Sequence, residues 1–584
     1  MKSRTQIVAT TIVALSVIFG LSRQADAQAY PRIAPQPLPV APPAHISVPP
    51  AQSGLPRSHK VIRPRIVAII VTDPDHLIKT GLAPAAAGPS GVDVEHAPSA
   101  LPSLATKLKP FLGQPMTFDH LRLIANAVIA WYKAQGRPFM DVTVPPQDVN
   151  SGVVQIQVLQ YRVGNVRVSG NRWFSKSDIR DAVGIRPGQT LTMSRVEQGL
   201  DWANQNAFRT VNAVFSPGKV PGTTDLNLKT RDRLPLRVYA GFDNEGVPSL
   251  GRAEWSVGFN WGNAFGLGQT FSYQLTKSVS GRYTAQAVSD TIPLPWHDDI
   301  LIFGSYETER PLINAFFGDL GQSGQASIRY EHTLRDLPSW ISEADAQIGY
   351  DYKVTNSNLE FFGTQVLNSN AEVDQFPVII EGSQSDPWGA TTLRNEFVYS
   401  PGNLQGGNTD PLFQTLVPGA KANYVYDRIT LTRLFRLPRG FVSVTRLMLQ
   451  DASANLLDSE QLVGGGPGSA IGYPSDVALG SMGLIAREAI YAPSFKPARL
   501  LGLHPGFNSG SAQVYAFWNY ADLHQITTLQ GTVPVADLAS VGVGLNYGLS
   551  NNVDVRFATG WQLRAAPGYS KTGAIGQVSV IIGY

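Results

Sequence analysis

The stretch that decides the fold is AEWSVGFNW, residues 253–261, because apolar and polar side chains alternate along it without a break. The apolar positions are Ala253, Trp255, Val257, Phe259 and Trp261, and the positions between them are Glu254, Ser256, Gly258 and Asn260. QTFSYQLTK at 269–277 alternates in the same way. A period of two predicts strands with one apolar face. Such strands occur in soluble sandwiches and in transmembrane barrels, where the apolar face contacts lipid and the polar face lines the lumen.

The spacing of turns favours the barrel. Leu-Pro pairs occur at 294–295, 337–338 and 437–438. At roughly 20–25 residues per strand, the first two pairs are one hairpin apart and the third lies two hairpins further on. Residues 234–584 would then hold about sixteen antiparallel strands. The polar stretches 354–374 and 400–414 would be long outer loops.

The end of the chain agrees with a barrel. In GQVSVIIGY, residues 576–584, the apolar side chains of Val578, Val580, Ile582 and Tyr584 share one parity. In a soluble sheet this strand would be an exposed apolar edge, which proteins avoid. It predicts the closing strand of a barrel, with Val580, Ile582 and Tyr584 as the C-terminal signal.

Composition limits the function classes. Charged residues make up 16% of the 584-residue chain, glycine is abundant at 55, and there is no cysteine. The net charge of +3 gives no argument for nucleic-acid binding. No G-x-S-x-G or H-E-x-x-H pattern is present, and the histidines are scattered, so we expect no enzyme activity, cofactor or metal.

The N-terminal residues predict export. Lys2 and Arg4 precede the apolar run 7–21, and Ala25-Asp26-Ala27 supplies small residues for cleavage, which indicates a signal peptide over 1–27. Later in the chain no apolar run is long enough for a membrane-spanning helix. Residues 28–60 are rich in proline, so we expect an extended linker that forms neither a helix nor a sheet ladder.

Residues 61–233 contain a repeated module. GQPMT at 113–117 and GQTLT at 188–192 each lead into a helix with apolar residues at 3.6-residue spacing. Around each helix the order of elements is strand, helix, helix, strand, strand. The sequence therefore predicts two tandem α+β modules, the first at 61–160 and the second at 161–233.

This order of parts resembles the transporter (TpsB) subunits of two-partner secretion, the ShlB/FhaC/HecB haemolysin secretion/activation family of POTRA-bearing outer-membrane barrels. The resemblance covers essentially the whole mature chain. Its local motifs include DNEGVPSLGR at 243–252 and NAFGLGQ at 263–269, where the family often has Asp in place of Gln269. The glycine-rich stretch GGGPGSAIGYPSD at 464–476 aligns with the family's sixth extracellular loop, which carries Val-Arg-Gly-Tyr. The matching residues are Ala470, Ile471, Gly472 and Tyr473.

The resemblance implies a transmembrane β-barrel of about 16 antiparallel strands, preceded by two periplasmic α+β POTRA domains, in the outer membrane of a Gram-negative bacterium. The POTRA domains would capture an unfolded exoprotein, adhesin-like or haemolysin-like, which passes through the barrel. The other implied partners are membrane lipid and the barrel-assembly machinery. The alternative functions are assembly of outer-membrane proteins and, less favoured, a passive porin or polysaccharide export channel.

The resemblance also implies where the sites are. In the family the sixth loop folds into the lumen as a plug, and its Arg pairs with the Asp of a Phe-x-Asp motif on a later strand. Here Phe517 keeps the Phe, but Ile471 replaces the Arg and Asn519 replaces the Asp. Because both charged residues are replaced together, neither charge is left unpaired. Without the ion pair the lock that holds the plug should be weaker, so the sequence predicts a barrel that leaks more than that of a relative with both charges. The predicted exoprotein-binding edge is Met140, Asp141, Val142, Thr143 and Val144.

Overall fold

The computed structural model divides into two compact units, one of residues 41–234 and one that joins the N-terminal residues up to 40 with 235–584. The predicted signal peptide lies outside the described residues. Those are 29–39, 44–48, 57–311, 317–319, 321–335, 337–338, 340–361, 364–500, 502, 510–528, 535–550, 552–566 and 573–584.

The first elements among the described residues lie in the predicted linker. Helix α1 spans Ala29–Ile33 and strand β1 spans Ile46–Ser47. The prediction that this segment forms neither a helix nor a ladder is therefore wrong at these two places. Pro31 stands in the first turn of α1, where its missing N–H costs no hydrogen bond. Strand β1 falls in the proline-free stretch 44–48.

The first module surrounds a core of aliphatic and aromatic side chains. Its elements are β2 (Val61–Arg63), β3 (Ala68–Thr72), β4 (Val92–Asp93), α2 (Pro102–Leu108), β5 (Met116–Thr117), α3 (Phe118–Ala134), β6 (Met140–Thr143) and β7 (Val153–Gln160). Helix α3 begins where the Thr117 side chain accepts a hydrogen bond from the His120 N–H at 3.1 Å. It buries Ile124, Val128 and Tyr132 against a sheet of order β4-β3-β7-β6.

The second module repeats the order of elements, as predicted. It comprises β8 (Arg162–Ser169), α4 (Lys176–Val183), α5 (Met193–Asn204), β9 (Arg209–Pro217) and β10 (Thr223–Asp232). Its sheet has the order β1-β9-β10-β8. The short strand β1 pairs in parallel with the outer edge of β9, and the Ala213 N–H donates to the His45 carbonyl at 3.1 Å.

A closed antiparallel barrel follows. In the described ranges its strands are β11 (Leu236–Asp243), β12 (Glu254–Ala264), β13 (Gln269–Ser278), β14 (Tyr283–Pro293), β15 (Asp298–Glu309), the three-residue β16 (Phe317–Asp319), β17 (Gly321–Thr333), β18 (Glu343–Phe361), β19 (Thr364–Asp386), β20 (Gly389–Pro401), β21 (Asn423–Arg436), β22 (Val442–Ala452), β25 (Met482–Tyr491), β26 (Ser511–His524), β27 (Val535–Leu549), β28 (Val553–Gln562) and β29 (Ala574–Gly583). Besides the short β16 there are sixteen, as predicted. The last strand closes the barrel by pairing with β11, Tyr239 opposite Gly583.

The two faces of the wall follow the alternation in the sequence. Glu254, Asn260 and Gln274 are buried on the lumenal side, whereas Val257 is 41% exposed on the outer side. At the closing strand, Ile582 is exposed on the outer face. Tyr584 follows the strand, and its N–H donates to the Val238 carbonyl at 2.9 Å.

The remaining α-helices and strands of the described barrel ranges lie between barrel strands. They are α6 (Asp410–Leu416), β23 (Leu462–Gly464), β24 (Ala478–Gly480) and α7 (Pro497–Leu500). The predicted outer loop at 354–374 is instead mostly strand, because β18 and β19 continue as a long hairpin of 19 and 23 residues. The stretch 400–414 leaves β20 and enters α6, as expected of an outer loop.

Candidate functional site

The glycine-rich stretch belongs to the sixth connection on the barrel end opposite the one where the chain enters. This connection, loop six, spans residues 453–481 between β22 and β25. Within it β23 and β24 pair as a small hairpin, Leu462 opposite Gly480. We call residues 465–477 the tip of loop six and residues 453–461 its base.

The backbone of the tip lies directly on the barrel wall. Gly472 has a backbone φ of +108°, a conformation that residues other than glycine rarely adopt. A Cβ atom at Gly472 would lie 2.8 Å from the carbonyl carbon of Gly560 in β28. Conversely, a Cβ at Gly560 would overlap the Ile471 carbonyl. Both positions therefore require glycine, because two backbones meet without space for a side chain.

Tyr473 fixes the tip by its hydroxyl group. The side chain is fully buried, and its hydroxyl donates to the Arg564 carbonyl at 2.7 Å and accepts from the Ala539 N–H at 3.2 Å. Next to it, the Gln562 amide donates to the Gly472 carbonyl at 2.8 Å. The tip thus makes several neutral hydrogen bonds to the last strands and their connections.

The structure brings Ile471 and Asn519 together. With its amide oxygen turned toward the loop, Asn519 accepts a hydrogen bond from the Ile471 N–H at 3.2 Å. The Ile471 side chain packs in a small apolar cluster with Phe517 and Ala558. Ala470 is fully buried in a second apolar cluster, which also contains Tyr473. The six residues singled out in the sequence therefore share one contact between loop and wall, and no ion pair links Ile471 to Asn519.

Positive charge on this contact comes from the wall. Arg487 of β25 donates to the Gly468 carbonyl of the tip at 3.2 Å. Its partners in register on the neighbouring strands are Arg446 and Asn519. Sequence reasoning missed these arginines. The signal that could have found them is two arginines at inward-facing positions of adjacent strands.

The N-terminal residues 29–39 occupy the side of the lumen that is lined by β11–β15. Arg32 forms an ion pair with Glu254 at 2.7 Å, and Gln274 donates to the Ile33 carbonyl at 3.2 Å. The N–H of Gln36 donates to the Tyr239 hydroxyl at 2.9 Å. This part of the predicted linker is thus bound within the barrel unit.

A cavity of about 730 Å³ separates the N-terminal segment from loop six. Charges of both signs line it, among them Arg32, Glu245, Glu254 and Arg487. Burial raises the pKa of Glu245 to about 7, and repulsion from Asp243 adds to the rise. The backbone carbonyl of Glu245 also accepts a hydrogen bond from Ser475 at 2.6 Å, which joins the first outer loop to the tip.

The predicted exoprotein-binding residues lie at a sheet edge of the first module. Strand β6 covers Met140–Thr143, and Val144 follows its end. Within the described residues only β7 pairs with β6. In an antiparallel pair, residues that hydrogen-bond to the partner strand alternate with residues whose N–H and C=O groups point away from it. The Tyr161 N–H donates to the Phe139 carbonyl, so Phe139 faces β7. The main-chain groups of Met140 and Val142 therefore point away from β7.

Among the described residues, no helix is both apolar and long enough to cross a bilayer. The same residues contain no group of three His, Cys, Asp or Glu side chains that could hold a metal ion.

Comparison with known proteins places this geometry in a family. The sequence model of the family described as haemolysin secretion/activation protein ShlB/FhaC/HecB matches residues 222–546. A ShlB-type POTRA domain matches 90–160, and a POTRA model described as a surface antigen variable number repeat matches 161–230.

Individual relatives agree. The outer membrane transporter CdiB of Dickeya dadantii is 22% identical over 404 residues, which is 65% of this chain and 67% of that protein. The hemolysin transporter protein ShlB of Serratia marcescens is 24% identical over 31% of this chain and 33% of its own. The solved structure of CdiB from Escherichia coli superposes with a TM-score of 0.70 at 17% identity, covering 100% of this chain and 98% of that one. The family model alone covers more than half of the chain, and the protein therefore belongs to the ShlB/FhaC/HecB haemolysin secretion/activation family.

Proposed function

We propose that this protein is the outer-membrane pore of a two-partner secretion system, which exports an unfolded adhesin-like or haemolysin-like exoprotein to the cell surface. The observation that carries the proposal is the combination of two POTRA modules with a closed sixteen-stranded barrel whose lumen holds segments of its own chain. The modules face the periplasm and the barrel lies in outer-membrane lipid, where the barrel-assembly machinery inserts it. The protein works without catalysis.

Capture of the exoprotein takes place at the edge of β6. The main-chain groups of Met140 and Val142 are directed to that edge, so an extended peptide can add there as a further strand. The side chains of Met140 and Val142 are buried in the module. Asp141 and Thr143 are half-buried, and they set which sequences fit. The corresponding edge of the second module, on β9, is already covered by β1.

A crosslinking scan of β6 tests this assignment. A photo-reactive amino acid at Asp141 or Thr143 is expected to capture one secreted protein in cells that are exporting it. The matched control is Lys229, which is exposed on the central strand β10 and should capture none. Equal capture at all three positions, or capture at Lys229 alone, would rule out β6 as the binding edge.

The tip of loop six acts as the plug, and it is held without the family's ion pair. A neutral contact should release more readily than a buried ion pair, because separating the pair strands two charges. We therefore expect that Ile471→Arg combined with Asn519→Asp lowers the conductance of the purified barrel in planar bilayers. Ile471→Arg alone should raise it, because it places an unpaired charge in the apolar cluster beside Phe517 and Ala558.

The wild-type barrel should also conduct more than a relative that keeps both charges. The wild-type barrel could instead conduct as little as such a relative, with no change of conductance in the double variant. That result would show that the neutral contact does not weaken the lock.

A further inference from the structure

The base of loop six carries a fully buried carboxylate. Glu460 ends the 3-10 turn Asp458–Glu460, just before β23, and its side chain has no exposed surface. The Lys353 ammonium of β18 lies 2.5 Å from Oε1 and is itself only 6% exposed. The Tyr426 hydroxyl and the Gln375 amide donate to Oε2 at 3.0 and 3.1 Å. Both oxygens of the carboxylate are therefore satisfied by the wall.

The main chain of Glu460 is held as well. Its carbonyl accepts from the Arg428 guanidinium and from the Gln450 amide, each at 3.1 Å. Arg428 also donates to the Gln450 side chain at 2.7 Å and lies 3.8 Å from Glu396. One residue of the loop is thus bound to strands β18, β19, β21 and β22.

The network extends one strand further. Gln375 also donates to Asp351 at 3.0 Å, and Asp351 forms a buried ion pair with Arg329 of β17 at 2.7 Å. The charged groups that face Glu460 and its neighbours therefore alternate in sign, and the described contacts pair them. A carboxylate in such a site cannot leave without stranding Lys353, which is costly in a buried position.

The base and the tip differ in kind. The tip contacts the wall through neutral hydrogen bonds and through Arg487 donating to a carbonyl. The base contacts it through a desolvated ion pair inside a connected network. If loop six is displaced by a passing chain, the tip should yield first.

We propose that Glu460 is the positioning residue of loop six. Together with Lys353, it fixes the base to the wall so that only the tip, residues 465–477, moves when the pore opens. The hairpin β23–β24 then joins a fixed part to a mobile part. The movement of the tip rests on the proposed function, whereas the fixed base does not.

Single cysteines can test this without background, because the chain has none of its own. Ala454→Cys places a buried thiol in the base, and Ala470→Cys places one in the tip. In the resting barrel both should react slowly with a maleimide. Adding Glu460→Gln or Lys353→Met should speed labelling at position 454 by at least about tenfold, since each leaves one buried charge without its counter-charge.

The double variant Glu460→Gln/Lys353→Met strands no charge, so labelling at 454 should fall back toward the resting rate. Asp386→Asn, which breaks the half-exposed pair with Arg433 at the opposite end of the wall, is the matched control and should change nothing. If a single variant does not fold, Tyr426→Phe removes one of the hydrogen bonds to the same carboxylate and should speed labelling about fivefold. Labelling at 454 that stays at the resting rate in the folded single variants overturns the proposal.

The same cysteines separate this inference from the proposed function. During export, labelling should rise at position 470 and stay constant at 454. A rise at 454 in the otherwise unaltered loop overturns the fixed base. A failure to export any protein, with the resting-state differences intact, overturns the proposed function and leaves the anchoring role of Glu460 standing.

Discussion

Replacing Gly472 with alanine is expected to unseat the tip of loop six and to raise the conductance of the barrel about tenfold. The new Cβ would lie 2.8 Å from the backbone of Gly560, where neither partner is a flexible side chain that can move aside. The residue also holds φ of +108°, which adds a backbone cost of about 1–2 kcal/mol for alanine. The tip can relieve both only by moving away from β28, which breaks the hydrogen bonds of Tyr473 and Asn519.

Gly468→Ala is the matched control. Gly468 belongs to the same tip, but a Cβ there meets no atom within 4 Å, and its carbonyl can still accept from Arg487. The conductance of the Gly468→Ala barrel in planar bilayers should equal that of the wild type. Equal conductance of the Gly472→Ala barrel would show that the tip does not obstruct the lumen.

Much of the fold was predictable because the bilayer imposes a simple rule. Every barrel strand must place apolar side chains on one face, so alternation such as that at 253–261 identifies the strands and their number. The rule ends where the wall leaves the lipid. The stretch 354–374 is rich in asparagine, serine and threonine, without the strict alternation of a lipid-facing strand, and its strands therefore resemble a loop in the sequence.

The N-terminal segment was mispredicted for a different reason. Helix α1 has only five residues, and its stability comes from partners such as Glu254 and Gln274, more than 200 positions along the chain. Strand β1 likewise exists only through its contact with β9. Proline content reports local preference, and it carries no information about such distant contacts.

Loop six likewise contains residues that could be located from the sequence and a residue that could not. Ile471 and Asn519 could be located because a family motif aligns with them. Glu460 could not, since it resembles any acidic residue in a polar loop, and its partner Lys353 lies 107 residues away. The arrangement that holds the base becomes visible only when the four strands around it are assembled.

Deleting residues 61–160 is expected to abolish export of one protein. This deletion removes the first module, including β6, whose edge we assign to exoprotein capture. No strand of the barrel pairs with this module in the described chain, so the barrel should still close and insert. The exported protein should then fall to background at the cell surface and accumulate, or be degraded, in the periplasm.

A substitution within the same module provides the control. Leu123 is 46% exposed on helix α3, outside strand β6, and Leu123→Ala should leave export unchanged. The conductance of the deletion variant in planar bilayers shows whether its barrel has formed. A deletion barrel that conducts but exports nothing assigns the loss to the module.

The central claim is that this chain exports a particular protein, and quantitative proteomics of the cell surface and outer membrane tests it most directly. We predict that cells carrying the 61–160 deletion lose one large exported protein from the surface while their other outer-membrane proteins stay at wild-type levels. Depletion of many outer-membrane proteins would contradict the account and indicate an assembly factor. An unchanged surface would contradict it as well and indicate a passive channel.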